Sequence, residues 1–360
     1  MKHSKRVKLT GKIIYYPILI INIVFVGLLL LSAYSPYFYP EDYPYLALAG
    51  LLFAILLGIN VCFIVFWLFI RRKYAFITLV AFLLCYSQIK MCIPFHFRTK
   101  NLPEESFKIL SYNIMHFGDL EKTNNNAILA YIKKENADIV CMQEYDTSDN
   151  RDYLTRNDIE SELKAYPYRN VQKQLACYSK FPILSAKLIN CKSNYNGAAR
   201  YELKIGEDTA TLINCHLESN KLTKEDKVVY EGIWKSPQTD NVKKGTRLLI
   251  PKLAEASAIR AAQAQIIVGE INSSHHPYVM VCGDFNDTSI SYTHRVISQN
   301  MYDAFTESGC GMGISYNMNR FYFRIDHILT GKNMKVYNCM VDRSIKDSDH
   351  YPVKCYIAKQ

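Results

Sequence analysis

Six short segments of the sequence carry side chains that can bind a metal ion or move a proton. Each segment follows or closes an apolar run that predicts a β-strand. The side chains are Asn113 in ILSYN, Glu144 in ADIVCMQE, His216 in TLINCH, Asp284 and Asn286 in VMVCGDFND, Asp326 and His327 in FRIDHIL, and Asp349 and His350 before YPV. In α/β proteins the loops at strand ends converge on one crevice, where ligands bind. One aspartate in such a place is commonly a turn former, but six segments of this kind predict a shared site.

The types of side chain in these segments indicate the chemistry. Carboxylates and an asparagine carbonyl, without a nearby thiolate, are hard oxygen ligands that suit Mg²⁺, Mn²⁺ or Ca²⁺ better than zinc. Histidines beside carboxylates suit proton transfer near neutral pH. Together they predict hydrolysis of a phosphate ester, in which a metal neutralises phosphate oxygens and a carboxylate–amide pair positions water.

These segments lie on a mixed pattern of strands and helices. Period-two alternation and short apolar runs predict strands over residues 107–113, 137–142, 176–179, 200–205, 210–216, 278–282, 323–329 and 335–339. Apolar residues at three- and four-residue steps predict helices over 124–135 and 247–271. The pattern predicts one α/β (α+β) domain, a four-layer α/β/β/α sandwich of two packed mixed sheets flanked by helices.

The N-terminal hundred residues differ from the rest of the chain. They hold 11 Lys and Arg against 2 acidic residues, so nearly all of the net charge of +10 lies there. The soluble part is close to neutral, which removes the argument for nucleic-acid binding by overall charge. Residues 13–34 and 45–70 contain no charged residue and are each long enough to cross a hydrocarbon core of ~30 Å. Residues 75–93 predict a weaker third span, because Gln88 and Lys90 interrupt it.

The chain is therefore expected to comprise a membrane anchor over 1–97 with three or two spans, a linker over 98–106 and a catalytic domain over 107–360. Basic residues in the N-terminal tail and at 71–73 place both in the cytoplasm. Three spans then place the catalytic domain outside the cytoplasm, and two place it inside. The eight cysteines of the soluble part fit a reducing compartment slightly better.

The ordered motifs SYN, QE, NCHLES, GDFND, RIDHI and SDHYPV resemble those of the endonuclease/exonuclease/phosphatase superfamily. The resemblance extends over residues 107–357, and the basic, apolar N-terminus makes it most similar to membrane-anchored bacterial members. It implies a hydrolase that uses Mg²⁺ or Mn²⁺ and acts on a phosphoester. It also implies a multi-pass protein of the bacterial inner membrane.

The resemblance also implies a role for each matching residue. Asn113, Glu144 and Asp349 would bind the metal, and Asp284 and Asn286 would orient water and phosphate, with Asp284 as the base. His350 would contact the scissile phosphate, with Asp326 behind it, and His216 would be the general acid. His327 of RIDHI and three polar residues outside the motifs (Arg200, Arg260 and Gln263) are expected to be structural, and the role of Lys180 stays open.

Three functions remain open at this point. A nuclease is slightly favoured by the resemblance. A phosphohydrolase acting on a lipid headgroup or a small molecule suits a chain tethered to a lipid bilayer. An inactive binding module is disfavoured because Glu144, Asp284 and His350 are all present. The charged segment 223–245 is either a surface loop that contacts the substrate or a solvated insertion. The sequence indicates no protein partner.

Overall fold

The apolar N-terminal segments form helices, in which the backbone N–H and C=O groups are hydrogen-bonded within the segment itself. The computed structural model describes residues 2–119, 126–191, 193, 195–235, 239–318 and 321–360. The N-terminal elements are α1 (Lys2–Tyr34), a 3-10 helix (Ser35–Tyr37), α2 (Pro44–Ala47), a second 3-10 helix (Leu48–Leu52), α3 (Phe53–Ile70), α4 (Arg72–Leu84) and α5 (Tyr86–Cys92).

Two of these segments are long and apolar enough to cross a membrane, Tyr15–Tyr37 and Pro44–Ile70. The expected third span is a bent pair, because α4 and α5 meet at 72°. It counts as a crossing only if both helices are taken as one span. The helices are joined by buried polar contacts, in which Trp67 Nε1 donates to Asn22 Oδ1 at 2.9 Å and Asn22 Nδ2 donates to Thr78 Oγ1 at 3.1 Å.

The rest of the chain builds two six-stranded sheets. The strands are β1 (Phe107–Asn113), β2 (Ile139–Gln143), β3 (Tyr168–Gln172), β4 (Leu175–Ser179), β5 (Ile183–Ile189), β6 (Gly197–Ile205), β7 (Asp208–His216), β8 (Tyr278–Asp284), β9 (Met301–Asp303), β10 (Tyr316–Met318), β11 (Phe321–Phe323), β12 (Asp326–Gly331), β13 (Met334–Val341) and β14 (Val353–Lys359). The first sheet has the order β13-β14-β1-β2-β4-β3 and the second β5-β6-β7-β8-β12-β9. The pairs β1–β2 and β7–β8 are parallel, and the other pairs within the two sheets are antiparallel. Strands β10 and β11 form a separate ribbon.

The two sheets pack face to face, and helices cover their outer faces. Apolar side chains from both sheets form the central core, for example Ile109 and Cys141 of the first sheet and Leu212 and Cys282 of the second. The helices of this part are α6 (Met115–Asp119), α7 (Ala127–Glu135), α8 (Arg156–Glu162), α9 (Lys224–Lys235), α10 (Thr239–Asn272), α11 (Tyr292–Ile297) and α12 (Ala304–Ser308). Helices α7 and α8 pack on the first sheet, while α10 and α11 pack on the second. The predicted fold class is thus confirmed.

Most predicted elements are present, with shifted ends. The predicted strand over 323–329 is wrong as a single element, because residues 324–325 separate β11 from β12. The predicted helix over 247–271 is part of the longer α10, and the one over 124–135 begins at Ala127, with residues 124–125 outside the described part. Strands β3, β5, β9, β10 and β14 were not predicted.

The N-terminal helices pack directly on the two-sheet domain. Gly50 touches the backbone of Ile290 so closely that a Cβ atom on Gly50 would lie 1.9 Å from the Ile290 carbonyl oxygen. Arg295 Nε donates to the carbonyl of Pro36 at 2.8 Å, and Arg324 donates to the carbonyl of Met91 at 2.9 Å. The end of the helix bundle that includes residues 35–52 is therefore fixed to the domain.

Candidate active site

The predicted polar residues lie where β1, β2, β7, β8 and β12 end or begin at one edge of the two sheets. Strand register brings them together across the sandwich. His216 is paired with Asp284 across the parallel β7–β8 pair, and Asp326 is paired with Asp284 across the antiparallel β8–β12 pair. Glu144 directly follows β2, which runs parallel to β1 and its terminal Asn113.

Asn113 connects the two halves of the site. Its Nδ2 donates to Glu144 Oε1 at 3.1 Å and to Asp284 Oδ2 at 3.2 Å, and its Oδ1 accepts from the backbone N–H of Met115 at 3.2 Å. The amide therefore joins two carboxylates that come from different sheets. To bind a metal beside Glu144, the Asn113 amide group would have to rotate so that Oδ1 takes the place that Nδ2 now holds beside Glu144.

Asp284 lies at the centre of the site. Its Oδ1 accepts from the Asn286 backbone N–H at 2.8 Å, and its Oδ2 lies 3.5 Å from His350 Nε2 and 3.8 Å from His216 Nε2. Burial raises the pKa of Asp284 to about 7, partly opposed by the positive charge of His350. A carboxyl group with this pKa can both accept and release a proton near neutral pH.

The glycine that precedes Asp284 is required by the backbone. Gly283 has a φ of +131°, and a Cβ atom there would lie 1.9 Å from the Cys215 carbonyl oxygen of the neighbouring strand. Glycine thus allows β8 to approach β7 closely at the position where both strands present their site residues. Asn286, with a φ of +52°, then turns the chain and donates from Nδ2 to the Leu217 carbonyl at 3.0 Å.

His350 and Asp326 form a buried acid–base pair. His350 Nδ1 lies 2.9 Å from Asp326 Oδ2, so the other ring nitrogen faces Asp284. Burial by itself lowers the pKa of His350, but the carboxylates of Asp326 and Asp284 outweigh it and raise the pKa to about 10. His350 is therefore the positively charged histidine of the site at neutral pH.

His216 is the neutral histidine. Its side chain is buried, with Nε2 3.7 Å from Glu144 Oε1. Burial, followed by the charge on His350, lowers the pKa of His216 to about 4. The two histidines thus carry different charges although both lie beside Asp284.

Asp349 lies at the same edge as these residues. Burial raises the pKa of Tyr316, and the carboxylates of Asp349, Asp284 and Glu144 raise it further. The Tyr316 phenol is therefore close to three carboxylates, one of which is Asp349. All eight predicted site residues are brought together at this edge, whereas His327 lies apart from it and contacts the Asp287 carbonyl at 3.0 Å.

The structure adds two residues to the site that the sequence did not predict. His116 Nε2 lies 3.8 Å from Glu144 Oε2, in a turn whose residues 115–118 all have positive φ. The ring of Tyr316 packs on His350 with centroids 5.0 Å apart. The order IMHFG after SYN was the available signal for His116, since it places this histidine three residues after the strand end.

Two serines hold the separate segments of the site in place. Ser348 Oγ donates to the Asn113 carbonyl at 2.7 Å and accepts from the His350 N–H at 3.2 Å. Ser315 Oγ accepts from the N–H groups of Ile325 and Asp326, both at 3.1 Å. These contacts fix the loop carrying His350 to β1 and the start of β12 to the ribbon.

The donor set fits a hard divalent cation at Glu144. This carboxylate is about one-fifth exposed, so it is open to an ion, and its neighbours are an amide and other carboxylates. Asp284, Asp326 and His350 also place ligand atoms within 4.8 Å of one another, but the hydrogen bond between His350 and Asp326 already uses two of those atoms. Glu144 with Asn113 and Asp349 is therefore the better candidate metal site.

A second cluster of similar composition lies away from this edge. His294 Nε2 contacts Asp303 Oδ2 at 2.8 Å, and His327 Nδ1 lies 3.8 Å from the same oxygen. The guanidinium of Arg324 also lies 2.8 Å from Asp303 Oδ2. Because Arg324 supplies the positive charge that a cation would supply, the cluster is a buried ion pair that joins elements of the fold.

Two family models match the chain. The family model described as Endonuclease/Exonuclease/phosphatase family matches residues 110–350, and a model described as a domain of unknown function (DUF8431) matches residues 12–92. No curated protein matches the chain.

Three similar solved structures illustrate the fold-level likeness. Humanized D. rerio TDP2 with 14 mutations is 14% identical and covers 71% of this chain and 100% of its own, with a TM-score of 0.48. The endonuclease/exonuclease/phosphatase from Bacteroides vulgatus is 16% identical and covers 71% and 99%, with a TM-score of 0.48. Truncated Caenorhabditis elegans TDP2 is 19% identical and covers 70% and 97%, with a TM-score of 0.44.

Proposed function

The chain belongs to the endonuclease/exonuclease/phosphatase family, and on that premise we propose that it is a membrane-anchored phosphodiesterase that requires a divalent cation, Mg²⁺ or Mn²⁺. The observation that carries the proposal is the contact chain from Glu144 through Asn113 and Asp284 to His350. It combines hard oxygen ligands, a carboxyl group with a pKa near neutrality and a charged imidazole at one edge of the sheets.

We assign the metal to Asn113, Glu144 and Asp349. When bound there, a divalent cation supplies positive charge to the phosphate oxygens and lowers the pKa of a bound water. Asp284 accepts the proton of the attacking water, and Asn286 fixes Asp284 through its backbone N–H. Asp326 accepts a hydrogen bond from Nδ1–H of His350 and fixes the orientation of the ring, so that Nε2–H points at the reacting group.

The charges of the two histidines favour a revised division of roles. The resemblance assigned the general acid to His216, but His216 is neutral at pH 7 and His350 is charged. We propose that His350 donates the proton to the leaving oxygen and that His216 hydrogen-bonds the phosphate.

The test of the proposed function is a metal titration on the full chain in detergent. Hydrolysis of bis-p-nitrophenyl phosphate should disappear with a chelator and return with Mg²⁺ or Mn²⁺. Glu144→Gln should reduce it by about 10²-fold or more, since a metal-ligand charge is lost. Glu162→Gln, an exposed carboxylate paired with Lys133, is the matched control and should keep full activity. Metal-independent hydrolysis, or full activity in Glu144→Gln, would refute the proposal.

We further propose that the catalytic domain lies outside the cytoplasm of a bacterial inner membrane. The domain packs on the end of the helix bundle that contains Pro36 and Gly50. The basic residues 71–73 lie at the other end, where the Arg71 guanidinium packs over the Tyr15 ring at 5.2 Å. The positive-inside rule assigns that basic end to the cytoplasm.

The topology can be tested with a reporter fused after Gln360. Alkaline phosphatase, which folds only outside the cytoplasm, should be active in this fusion, and green fluorescent protein should be dark when exported through the general secretory pathway. The reverse pattern would place the domain in the cytoplasm.

The sequence resemblance slightly favours a nucleic acid as the substrate, and this stays a prediction. A nucleic acid would need a basic surface, and the lysines of the charged segment 223–245 lie partly outside the residues whose side chains are described.

A further inference from the structure

A largely apolar cavity of about 630 Å³ lies between the N-terminal helices and the catalytic domain. We call it the junction cavity. On the anchor side it is lined by residues of the second apolar segment, including Leu51, Phe53 and Ile55, and on the domain side by residues including Ile290, Ile314 and Phe323. Its volume is in the range of ligand-binding pockets, about 300–1,000 Å³.

The depth of the junction cavity in the membrane follows from the length of the helix. The second apolar segment ends at Ile70, directly before the basic residues that mark one membrane surface. A hydrocarbon core of ~30 Å corresponds to roughly 20 helical residues, and counting back from Ile70 reaches the residues around Leu51. The cavity is therefore at the opposite boundary of the hydrocarbon, where lipid headgroups meet the first methylenes of their chains.

The junction cavity adjoins the candidate active site along three segments of the chain. Thr288, Ile314 and Arg324 line it, and each lies two residues from a site residue, respectively Asn286, Tyr316 and Asp326. Two residues of extended chain span roughly 7 Å. A molecule in the cavity thus contacts the same segments that hold the catalytic groups.

The lining of the cavity suits an apolar guest. Arg324 is the charged side chain among the described lining residues, and it is already bonded to Asp303 and to the Met91 carbonyl. Tyr230 of α9 closes one side, so the segment 223–245 contributes to the cavity. Ile55, Met312 and Tyr322 are each between two-fifths and three-fifths exposed, which leaves the cavity open at its margin.

We propose that the junction cavity binds an acyl chain of a phospholipid, so that the substrate is a lipid phosphodiester taken from the adjoining leaflet. This inference rests on the proposed function for the chemical step. Because the bilayer interior is as apolar as the cavity, binding there mainly orients the lipid and brings its phosphate to the site. Water then attacks phosphorus, the bond from phosphorus to the leaving alcohol oxygen breaks, and that oxygen takes up a proton.

The first test blocks the cavity in the full chain. The protein is placed in nanodiscs of equal parts phosphatidylethanolamine and phosphatidylglycerol, and release of products from these lipids is compared with hydrolysis of bis-p-nitrophenyl phosphate in the same sample. Ala54→Trp fills the cavity from the anchor side and should lower lipid hydrolysis by about tenfold or more, because the lipid is misplaced. Hydrolysis of the soluble diester should not change.

The matched control is Val61→Trp, two helical turns along α3 from Ala54. Val61 is about half exposed and is not part of the cavity. This variant should behave like the wild type on both substrates. Equal effects of the two tryptophans on lipid hydrolysis would overturn the inference.

The second test does not depend on activity. A phosphatidylglycerol that carries a diazirine on its acyl chain is incorporated into the nanodiscs with the Glu144→Gln variant and photolysed, and the labelled residues are mapped by mass spectrometry. Labelling should fall on residues 288–290, 312–314 and 322–323 and should be lost when Ala54→Trp is added.

The two tests separate failure of this inference from failure of the proposed function. The protein could hydrolyse the soluble diester or plasmid DNA while the cavity is not labelled and Ala54→Trp has no effect on lipid hydrolysis. That result overturns the acyl-chain site and leaves the proposed function standing. Labelling of the cavity without metal-dependent hydrolysis of any diester supports the acyl-chain site and overturns the proposed function.

Discussion

At the scale of single residues, the site is defined by groups whose charges are set by their neighbours. Burial raises the pKa of Asp284 to about 7. Two carboxylates raise the pKa of His350 and keep it charged, whereas burial lowers the pKa of His216 and keeps it uncharged. The same residue type thus has two different protonation states a few ångströms apart. This difference is the physical basis for assigning different tasks to the two histidines.

The proton donor can be identified with leaving groups of different basicity. An alkyl diester needs a proton on its leaving oxygen, whereas p-nitrophenolate leaves without one. We therefore expect His350→Ala to lower kcat by about 10²–10⁴-fold on a dialkyl phosphodiester. The loss on bis-p-nitrophenyl phosphate should be much smaller. The measurement is kcat of the full chain on both substrates.

His216→Ala is the comparison for that experiment. A residue that only hydrogen-bonds the phosphate should lose a similar factor on both substrates. If His216→Ala showed the selective loss and His350→Ala the uniform one, the assignment made by family resemblance would be restored.

The identities of the site residues were predictable from the sequence, because each is a metal-binding or proton-transferring type at the end of a strand. The contacts between them were not. Tyr316 reaches His350 from a short ribbon that has no strong strand pattern, and His116 depends on four successive residues with positive φ. Such a backbone is unusual for residues with a Cβ atom, and no single-residue preference indicates it.

At the scale of elements, the parallel strand pairs β1–β2 and β7–β8 explain why distant segments meet. Each pair directs two strand ends to the same edge, and packing of the sheets brings the two edges together. The alternating and apolar runs predicted these central strands. The unpredicted β3 and β5 lie at sheet edges, where exposed polar residues weaken the pattern, and β9 is only three residues long.

One ion-pair network holds α7 on the first sheet and makes stability depend on pH. Lys354 Nζ lies 2.6 Å from Asp342 and 2.7 Å from Glu135, and Lys108 pairs with Glu135 at 2.7 Å. Burial raises the pKa of each carboxyl group, but the lysines outweigh it and the net shift is downward for both.

Because these pKa values are lower in the folded state, the network stabilises the fold fully above the ordinary carboxyl pKa of about 4. This stabilisation is lost as the pH falls from there toward the lowered values of the folded state. Asp342→Asn should cost about 1–3 kcal/mol at neutral pH, and the difference from the wild type should shrink in acid.

Thermal unfolding of the full chain in detergent, followed at about pH 7 and about pH 3, measures this dependence. Glu105→Gln, an exposed carboxylate, serves as the control and should match the wild type at both pH values. A constant difference between Asp342→Asn and the wild type would show that the carboxylate charge is not the cause.

At the scale of the whole molecule, the N-terminal helices and the two-sheet domain share an interface. The N-terminal apolar segments predicted membrane spans, but nothing in their composition predicted that Gly50 would touch Ile290 or that Arg295 would donate to Pro36. These contacts join residues more than two hundred positions apart, and the local pattern of a sequence does not specify such pairs.

The close approach at Gly50 can be tested by a larger side chain. Gly50→Leu places atoms where the Ile290 backbone lies, so the anchor and the loop over 288–292 must separate. Amide hydrogen exchange in this loop should become faster in the full chain. Gly58→Leu, in the same apolar segment Pro44–Ile70 but with no neighbour within 4 Å, should leave the exchange unchanged, and equal rates in both variants would contradict the interface.

If the N-terminal helices span a membrane as proposed, the contact between Gly50 and Ile290 also fixes the distance between the reacting groups and the lipid surface. The loop that it touches continues from Asp284 and Asn286, so the height of the reacting groups above the lipid surface is set by the 27 residues of the segment Pro44–Ile70. A bilayer of different thickness forces such a segment to tilt or the lipid around it to deform. Either response moves the reacting groups relative to the headgroups, so we expect the activity of the chain to depend on the thickness of the membrane.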